Sequence, residues 1–467
     1  MFNLMAQGAA MLSQPDVIIA LIAGTLGGMF IGAMPGLSAS MAVALLIPVT
    51  FGMSGAAGIT LLVAVYTSAI YGGSITACLL HTPGTPASAA TAADGFALTK
   101  QGKGLKAIGV STVASMIGGT ISAIALLFIA PALSQVALKF SSLEYFLIGV
   151  FGLTIIGSLA GDNMMKGLLS GCLGLMIGLD IQSSAPRYCF GILELQSGIQ
   201  LVPAMIGLFS LSQVMFSIED VAKGKHTVLD ENAKNLTGSP VPTWKEFKPL
   251  IPTIAQSSII GVLVGILPGA GGDIGSWISY NTAKNSSKHP GELGHGPLVG
   301  IAASETANNA VTGGALIPLL TLGIPGSGVA AIMLGGLMIK GLTPGYKLFS
   351  DPTTGPIVYC IILAFALANV LMGVAGLGIC KQVVKISTIP MTILAPMIVA
   401  LSTVGSYAVR QSIFDVWVML VFGFIGYFMR KYGFATAPVV LAMILGPIAE
   451  SNWRQTLTIT KRTGLLE

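Results

Sequence analysis

The side chains best suited to chemistry lie between Gly261 and Gly328. Pro268-Gly269, Gly271 and Asp273 come first, then Ser304-Glu305-Thr306-Ala307-Asn308-Asn309, then Pro325-Gly326-Ser327. Two Pro-Gly breaks thus enclose carboxylate, amide and hydroxyl groups within apolar sequence. In lipid, a broken helix leaves backbone N–H and C=O groups without partners, which is tolerated only beside protein or a water-filled cavity. The expected chemistry is therefore binding. Oxygen-bearing side chains together with unwound carbonyls are the ligands Na+ requires. Asn308 and Asn309 are the candidate Na+ ligands, with Asp273, Ser304, Glu305 and Thr306 as further ion-coupling residues. The two asparagines point to different sides of a helix, so both need not be ligands. H+ is the rival coupling ion, carried by Glu305 or Asp273. Buried carboxyls at membrane depth are functional by default. The plain alternative is an aqueous loop, because 281–297 is polar. His81 and His295 titrate near neutrality, but both fit loops better.

The first half carries a second copy of these breaks. Gly28 to Gly36, ending in Pro35-Gly36, aligns with Gly261 to Gly269 at an offset of 233 residues. Downstream, Gly72-Gly73 aligns with Gly313-Gly314, and Pro83-Gly84-Thr85 aligns with Pro325-Gly326-Ser327 at an offset of 242. Paired interrupted segments in two halves are the best sequence pointer to a transporter's binding site, and precedent favours inverted repeats. Neither motif contains Lys or Arg. An anionic substrate would then be held by backbone N–H groups at the N-termini of broken helices. Glycine after proline leaves room for close approach. The candidate substrate-binding residues are Pro35, Gly36, Ser38, Ser40, Pro83, Gly84, Thr85, Pro268, Gly269, Gly271, Pro325, Gly326 and Ser327. Each hydroxyl among them has a bland alternative, a bond to its own helix backbone.

Positioning these groups falls to membrane helices. Of 467 residues, 53% are hydrophobic and only 9% charged, against about 25% charged in soluble proteins. That balance excludes a soluble enzyme. Long continuous runs, rather than short alternating segments, argue for helices and against a β-barrel. The net charge of +5 fits loop lysines better than a nucleic-acid surface. Five cysteines show no metal-ligand spacing, and the N-terminus does not resemble a cleaved signal peptide.

The predicted architecture is an all-α polytopic membrane protein. It has about 12 membrane segments, with two pseudo-repeats containing Pro-Gly-broken or re-entrant helices. Residues 1–217 form the first half, 218–248 a polar linker, and 249–467 the second half. The run 37–51 is too short to span and reads as a half-helix. A polar connection containing Lys100, Lys103 and Lys106 follows the second break. The run 105–138 fits one tilted helix, or two with a turn near Pro131. Conventional spans after Ile357 are expected to form part of a scaffold.

These motifs resemble the large membrane subunit of the tripartite tricarboxylate transporters, the TctA family. The matching features are Gly32 to Leu37, Tyr71-Gly72-Gly73-Ser74 to Pro86, Gly265 to Gly271, Gly294 to Ala310, and Gly323 to Gly326. The resemblance runs from about residue 15 to about 450. It implies ion-driven uptake of tri- or dicarboxylates across a bacterial inner membrane. It further implies a small TctB-like membrane subunit and a periplasmic, TctC-like substrate-binding protein as partners. No cofactor beyond the coupling Na+ or H+ is expected. The competing readings are a membrane-embedded enzyme and a channel for small anions. The enzyme would need a constellation such as Gly-x-Ser-x-Gly or His-Glu-x-x-His, and neither occurs.

Overall fold

The computed structural model describes residues 2–34, 37–81, 84–137, 139–154, 163–178, 189, 191–223, 238–386 and 391–463. The described residues are helical throughout, with no strand among them. The helices are α1 (Phe2–Leu12), α2 (Pro15–Gly32), α3 (Ala39–Leu46), α4 (Gly55–Leu80), α5 (Ala89–Lys100), α6 (Gly104–Ala137), α7 (Ser142–Thr154) and α8 (Met164–Gly178). Then come α9 (Leu201–Ala222), which contains a π-helical turn, α10 (Ile251–Ile266), α11 (Gly271–Ser286), α12 (Leu298–Leu322) and α13 (Gly328–Ile339). The last four are α14 (Gly355–Ile386), α15 (Met391–Arg410), α16 (Ile413–Lys431) and α17 (Ala437–Thr463). Among the described residues, eight helices are long and apolar enough to cross a bilayer, and four shorter apolar helices accompany them. Residues Leu298–Leu322 are not counted among the eight. Their run of polar groups makes this span look unlike a membrane helix by hydropathy alone.

Two helices form the centre. Every residue of α4 from Ala56 to Leu79 is buried, as is every residue of α12 from Gly300 to Thr321. A helix buried all round has no polar face; α4 fits this with apolar, small and hydroxyl residues, while α12 buries Ser304, Glu305, Thr306, Asn308 and Asn309 as well. Each central helix takes a glycine-rich partner. Gly24, Gly28 and Gly32 of α2 face Leu61, Val65 and Ala69 of α4, and Gly261 and Gly265 of α10 face Ala307 and Val311 of α12. A Cβ at Gly28 would lie 2.7 Å from the Val65 carbonyl oxygen, and one at Gly261 2.6 Å from that of Ala307. In a membrane, such close backbone approach supplies the packing that apolar driving force supplies in water.

The contact order fixes helix directions. Numbers rise together in both pairs, so α2 runs parallel to α4 and α10 parallel to α12. Tyr71 meets Thr112 and Ser74 meets Ser111, so α4 and α6 are antiparallel. Gly118 faces Thr306 and Ser122 faces Gly313, so α6 and α12 are parallel. It follows that α4 and α12 run in opposite directions.

The outer helices carry apolar exposed faces. Ile393, Met397, Leu401 and Val404 of α15 are exposed at helical spacing, as a lipid-facing stripe should be.

Several segments differ from the sequence-based expectation. The polar connection after the second break is largely helix α5. Of the two arrangements expected for 105–138, the structure has the single helix, Gly104–Ala137, continuing through Pro131. Helix α9 continues to Ala222, into the segment read as linker, where Lys223 Nζ donates to Glu219 Oε1 at 2.6 Å. Residues 224–237 of that linker lie outside the described residues. The final helix runs from Ala437 to Thr463.

Candidate functional site

Four helices begin part-way along α4 and α12. Helix α2 stops at Gly32, and the chain resumes as α3 with Ser38 as N-cap. The Ser38 Oγ accepts from Met41 N at 3.2 Å. Helix α4 ends at His81 in a left-handed conformation, φ 53°, and Thr85 leads through the turn Pro86–Ser88 into α5. Helix α10 ends before Gly269 and Gly271, with φ of 76° and 68°, which only glycine adopts freely. Helix α11 starts there. Helix α12 closes on a left-handed Gly323, and Ser327 caps α13 by accepting from Ala330 N at 3.2 Å.

The breaks are tied to each other. Gly84 N donates to Gly73 O at 3.2 Å, and Gly271 N donates to Gly326 O at 3.3 Å. A Cβ on Gly84 would run into Gly32 O and Gly73, and one on Gly326 into Gly265 O and Ala315. These glycines hold helix ends together rather than lining open space.

The four starts enclose a cavity of about 250 Å³. Ser38 and Ser40 line it from α3, Thr85 from the turn before α5, Gly269, Gly271 and Asp273 from the start of α11, and Ser327 from α13. Helix α4 adds Tyr66, and α12 adds Asn308 and Thr312. Among the described residues, no Lys, Arg or His is on its wall, and Asp273 is the one carboxylate there. Because Ser38 and Ser327 accept backbone N–H bonds as caps, their own hydroxyl protons stay available. Tyr66 Oη lies 3.1 Å from Ser327 Oγ. The candidates Gly84, Pro268, Pro325 and Gly326 lie off the cavity wall. Pro35, Gly36 and Pro83 lie outside the described residues.

Beside the cavity sits a second polar group around Glu305, which is fully buried. Thr91 Oγ1 donates to its Oε1 at 2.5 Å, and Ser115 Oγ donates to its Oε2 at 2.9 Å. Asn308 Nδ2 reaches Oε1 at 3.5 Å. Ser304 Oγ lies 2.8 Å from Thr91 Oγ1 and donates to Gly300 O. No cationic side chain pairs with Glu305 among the described residues. Three side-chain oxygens of α12 are buried without a partner: Thr306 Oγ1, Asn308 Oδ1 and Asn309 Oδ1. Such orphans in a folded interior are rare and call for a missing partner. Asn308 faces the cavity, while Asn309 turns toward Thr67 and Asn369. Asp273 differs from Glu305, because its side chain is exposed rather than packed.

Further groups were not foreseen. Tyr66 and Thr67 belong to the polar triplet Tyr66-Thr67-Ser68 inside an apolar run, Ser115 follows Ser111-Thr112, and Asn369 lies within a conventional span. Thr91 and Asp94 sit on α5. Asp94 accepts from Gly294 N at 2.7 Å, Gly296 N at 2.9 Å and Tyr280 Oη at 2.9 Å. It thereby fastens the first-half helix α5 to the loop before α12, where His295 lies.

Residues 18–441 match the family described as "Tripartite tricarboxylate transporter TctA family". Among similar proteins is the "Uncharacterized 52.8 kDa protein in TAR-I ttuC' 3'region" of Agrobacterium vitis. It is 34% identical over 450 residues, covering 96% of this chain and 88% of that protein. The "Uncharacterized protein in TAR-II ttuC' 3'region" of the same organism is 38% identical over 201 residues, 43% of this chain and 82% of that protein. No solved structure matches the chain. With nearly the full length matched, the chain belongs to the TctA family, multi-pass membrane subunits of tripartite tricarboxylate transporters and not enzymes.

Proposed function

We propose that this chain is the large membrane subunit of an ion-coupled secondary transporter. It takes up a di- or tricarboxylate delivered by a periplasmic binding protein. It works in the bacterial inner membrane alongside a small TctB-like subunit, with the lipid bilayer around it and no nucleic-acid partner. The observation that carries this reading is the convergence of four helix N-termini on one cavity whose wall, among the described residues, has no cationic side chain. Each N-terminus presents unpaired N–H groups and a positive dipole end, worth about 0.3–1 kcal/mol when exposed and up to ~2 kcal/mol when partly buried. Several together suit a multiply charged carboxylate. Asp273 already takes the dipole of α11, so the substrate's charge belongs with α3, α5 and α13.

Residues 1–217 and 249–467 act as two inverted repeats joined by 218–248. Two features support this. First, α2–α4 and α10–α12 make the same parallel glycine-mediated pair, while α4 and α12 run oppositely. Second, Gly84 packs on Gly32 and Gly73 just as Gly326 packs on Gly265 and Ala315. These contacts pair Gly73 with Ala315 and Gly72 with Gly314, one residue from the sequence alignment. Closure of the repeats around substrate and ion, followed by opening to the other face, gives alternating access.

Orientation follows from charge. Lys100, Lys103, Lys106, Lys245, Lys248, Lys284 and Lys288 gather where α4 ends and α12 begins, as the Lys106–Glu246 and Gln101–His295 contacts indicate. The opposite face, where Lys340 Nζ donates to Met53 O, has fewer cations. The lysine-rich face is then cytoplasmic. Coupling is assigned to Na+ at Asn308 and Asn309, with Glu305, Ser304, Thr306 and Asp273 nearby, or to H+ on Glu305.

The test is uptake of labelled di- and tricarboxylates into proteoliposomes containing both membrane subunits and the binding protein. The reading expects accumulation above equilibrium that an ionophore abolishes. Uncoupled equilibration, or electrical conductance in its place, would replace it with a channel.

A further inference from the structure

We propose that Thr67, Asn309 and Asn369 form a Na+ site of their own, separate from the Glu305 cluster and built across three helices. The proposal deepens the ion-coupled reading above and rests on it for its role in transport.

All three side chains are fully buried, on α4, α12 and α14. Asn369 Nδ2 donates to Phe365 O at 2.8 Å, which fixes the amide and aims its Oδ1 at Thr67, whose Oγ1 donates to it at 2.7 Å. The Asn309 amide faces this pair of oxygens with its nitrogen at 3.3 and 3.4 Å. Those separations exceed the usual N–H···O range of about 2.7–3.2 Å. The other end of the same amide, Oδ1, is buried without any partner. Turning the amide by half a rotation puts Oδ1 where Nδ2 stands. Amide oxygen and nitrogen are equivalent in shape, so the turn keeps the packing, and it gives up only the Nδ2 contact to Met372 Sδ at 3.7 Å. Three neutral oxygens then converge, and the Thr67 hydroxyl proton turns to a carbonyl of its own helix. Converging oxygens without a donor between them repel one another unless a cation sits there.

Space for this arrangement is built in. Helix α6 passes the cluster with Gly119, and a Cβ at that position would collide with Asn369 Oδ1. A site of neutral oxygens favours a singly charged cation, since no carboxylate is present to offset a divalent ion's desolvation. Among the described residues, no group of three or more His, Cys, Asp or Glu offers a metal site elsewhere. The site also gives α14 a task beyond scaffolding: it would sense ion occupancy between the two central helices.

The bland account of the same contacts is an interhelical hydrogen-bond triad, worth about 0.6 kcal/mol per bond in membranes. It makes no reference to Na+, so Na+ separates the two. The experiment uses the full chain in proteoliposomes and measures equilibrium binding of radiolabelled Na+, together with thermal stability in Na+ against choline. Thr67→Val removes the oxygen while keeping the shape, and Thr67→Ser restores it. The site predicts Na+-specific stabilisation of the wild type and a Na+ half-saturation raised about tenfold or more in Thr67→Val. It predicts recovery in Thr67→Ser and the same loss in Asn369→Leu. A wild type that binds no Na+ overturns the site, even if a pH gradient alone drives carboxylate accumulation and so leaves the transport reading standing. Unchanged Na+ affinity in folded Thr67→Val and Asn369→Leu also overturns it. Na+ binding lost in these variants, in a protein that accumulates no carboxylate, would uphold the site and sink the transport reading.

Discussion

Tyr66 Oη and Ser327 Oγ lie 3.1 Å apart, though 261 residues separate them in the chain. One belongs to the central helix of the first half. The other caps a broken helix of the second, and both line the same cavity. If that cavity holds a carboxylate, the phenol is a donor within reach of it. Tyr66→Phe removes one hydroxyl and little volume. Loss of a hydrogen bond to a charged group costs about 1.5–3 kcal/mol, so KM for the carboxylate should rise at least about tenfold. The Na+ dependence should be unchanged. Initial-rate uptake checks both.

Glu305 is held by donors on both oxygens, from Thr91 and Ser115. Glu305→Gln keeps the shape but turns an acceptor pair into one acceptor and one donor facing a donor. Gradient-driven accumulation should be abolished, with the protein still folded. If H+ is the coupling ion, exchange of internal for external substrate should survive in this variant while accumulation is lost. Counterflow assays separate the two.

Gly326 packs where a Cβ would strike Gly265 O and lie 2.8 Å from Ala315 Cα. Gly326→Ala must push two broken helices apart, and overpacking of this kind costs about 1–3 kcal/mol. A lowered melting temperature in detergent is expected. Glycine-to-alanine change at Gly27, which has open space around it, is the control and should be silent.

Asp94 fastens α5 to the 287–297 loop through two backbone N–H groups and to α11 through the Tyr280 hydroxyl. Asp94→Leu leaves those donors without their acceptor, at about 1–3 kcal/mol for the buried Tyr280 hydroxyl and less for the two glycine N–H groups, which water can reach. Faster protease cleavage within 287–297 is the expected result. Cleavage at the wild-type rate would show that the loop is held by other contacts.

How far the chain was legible depended on the residue. The Pro-Gly breaks were plain, because proline and glycine act on the backbone wherever they stand, and α3 emerged as the short half-helix expected of 37–51. The burial of Glu305 was one of two readings left open, because the segment before α12, 281–297, is polar and suits an aqueous loop. Partners across helices were not legible. Asn369 lies 60 residues from Asn309, inside a span whose hydropathy conceals one amide. Thr91 and Asp94 were hidden for another reason: α5 follows a break and is too polar to look like part of a membrane domain.

The central claim is that both halves line one carboxylate site. The most direct measurement places single cysteines at Ser38, Thr85 and Ser327 in a protein with its five native cysteines replaced. Reaction with a small thiol reagent is then followed with and without substrate and coupling ion. The account predicts that carboxylate slows labelling at all three positions together, and more strongly with the ion present. Protection at none of them, in a preparation that still transports, would contradict it.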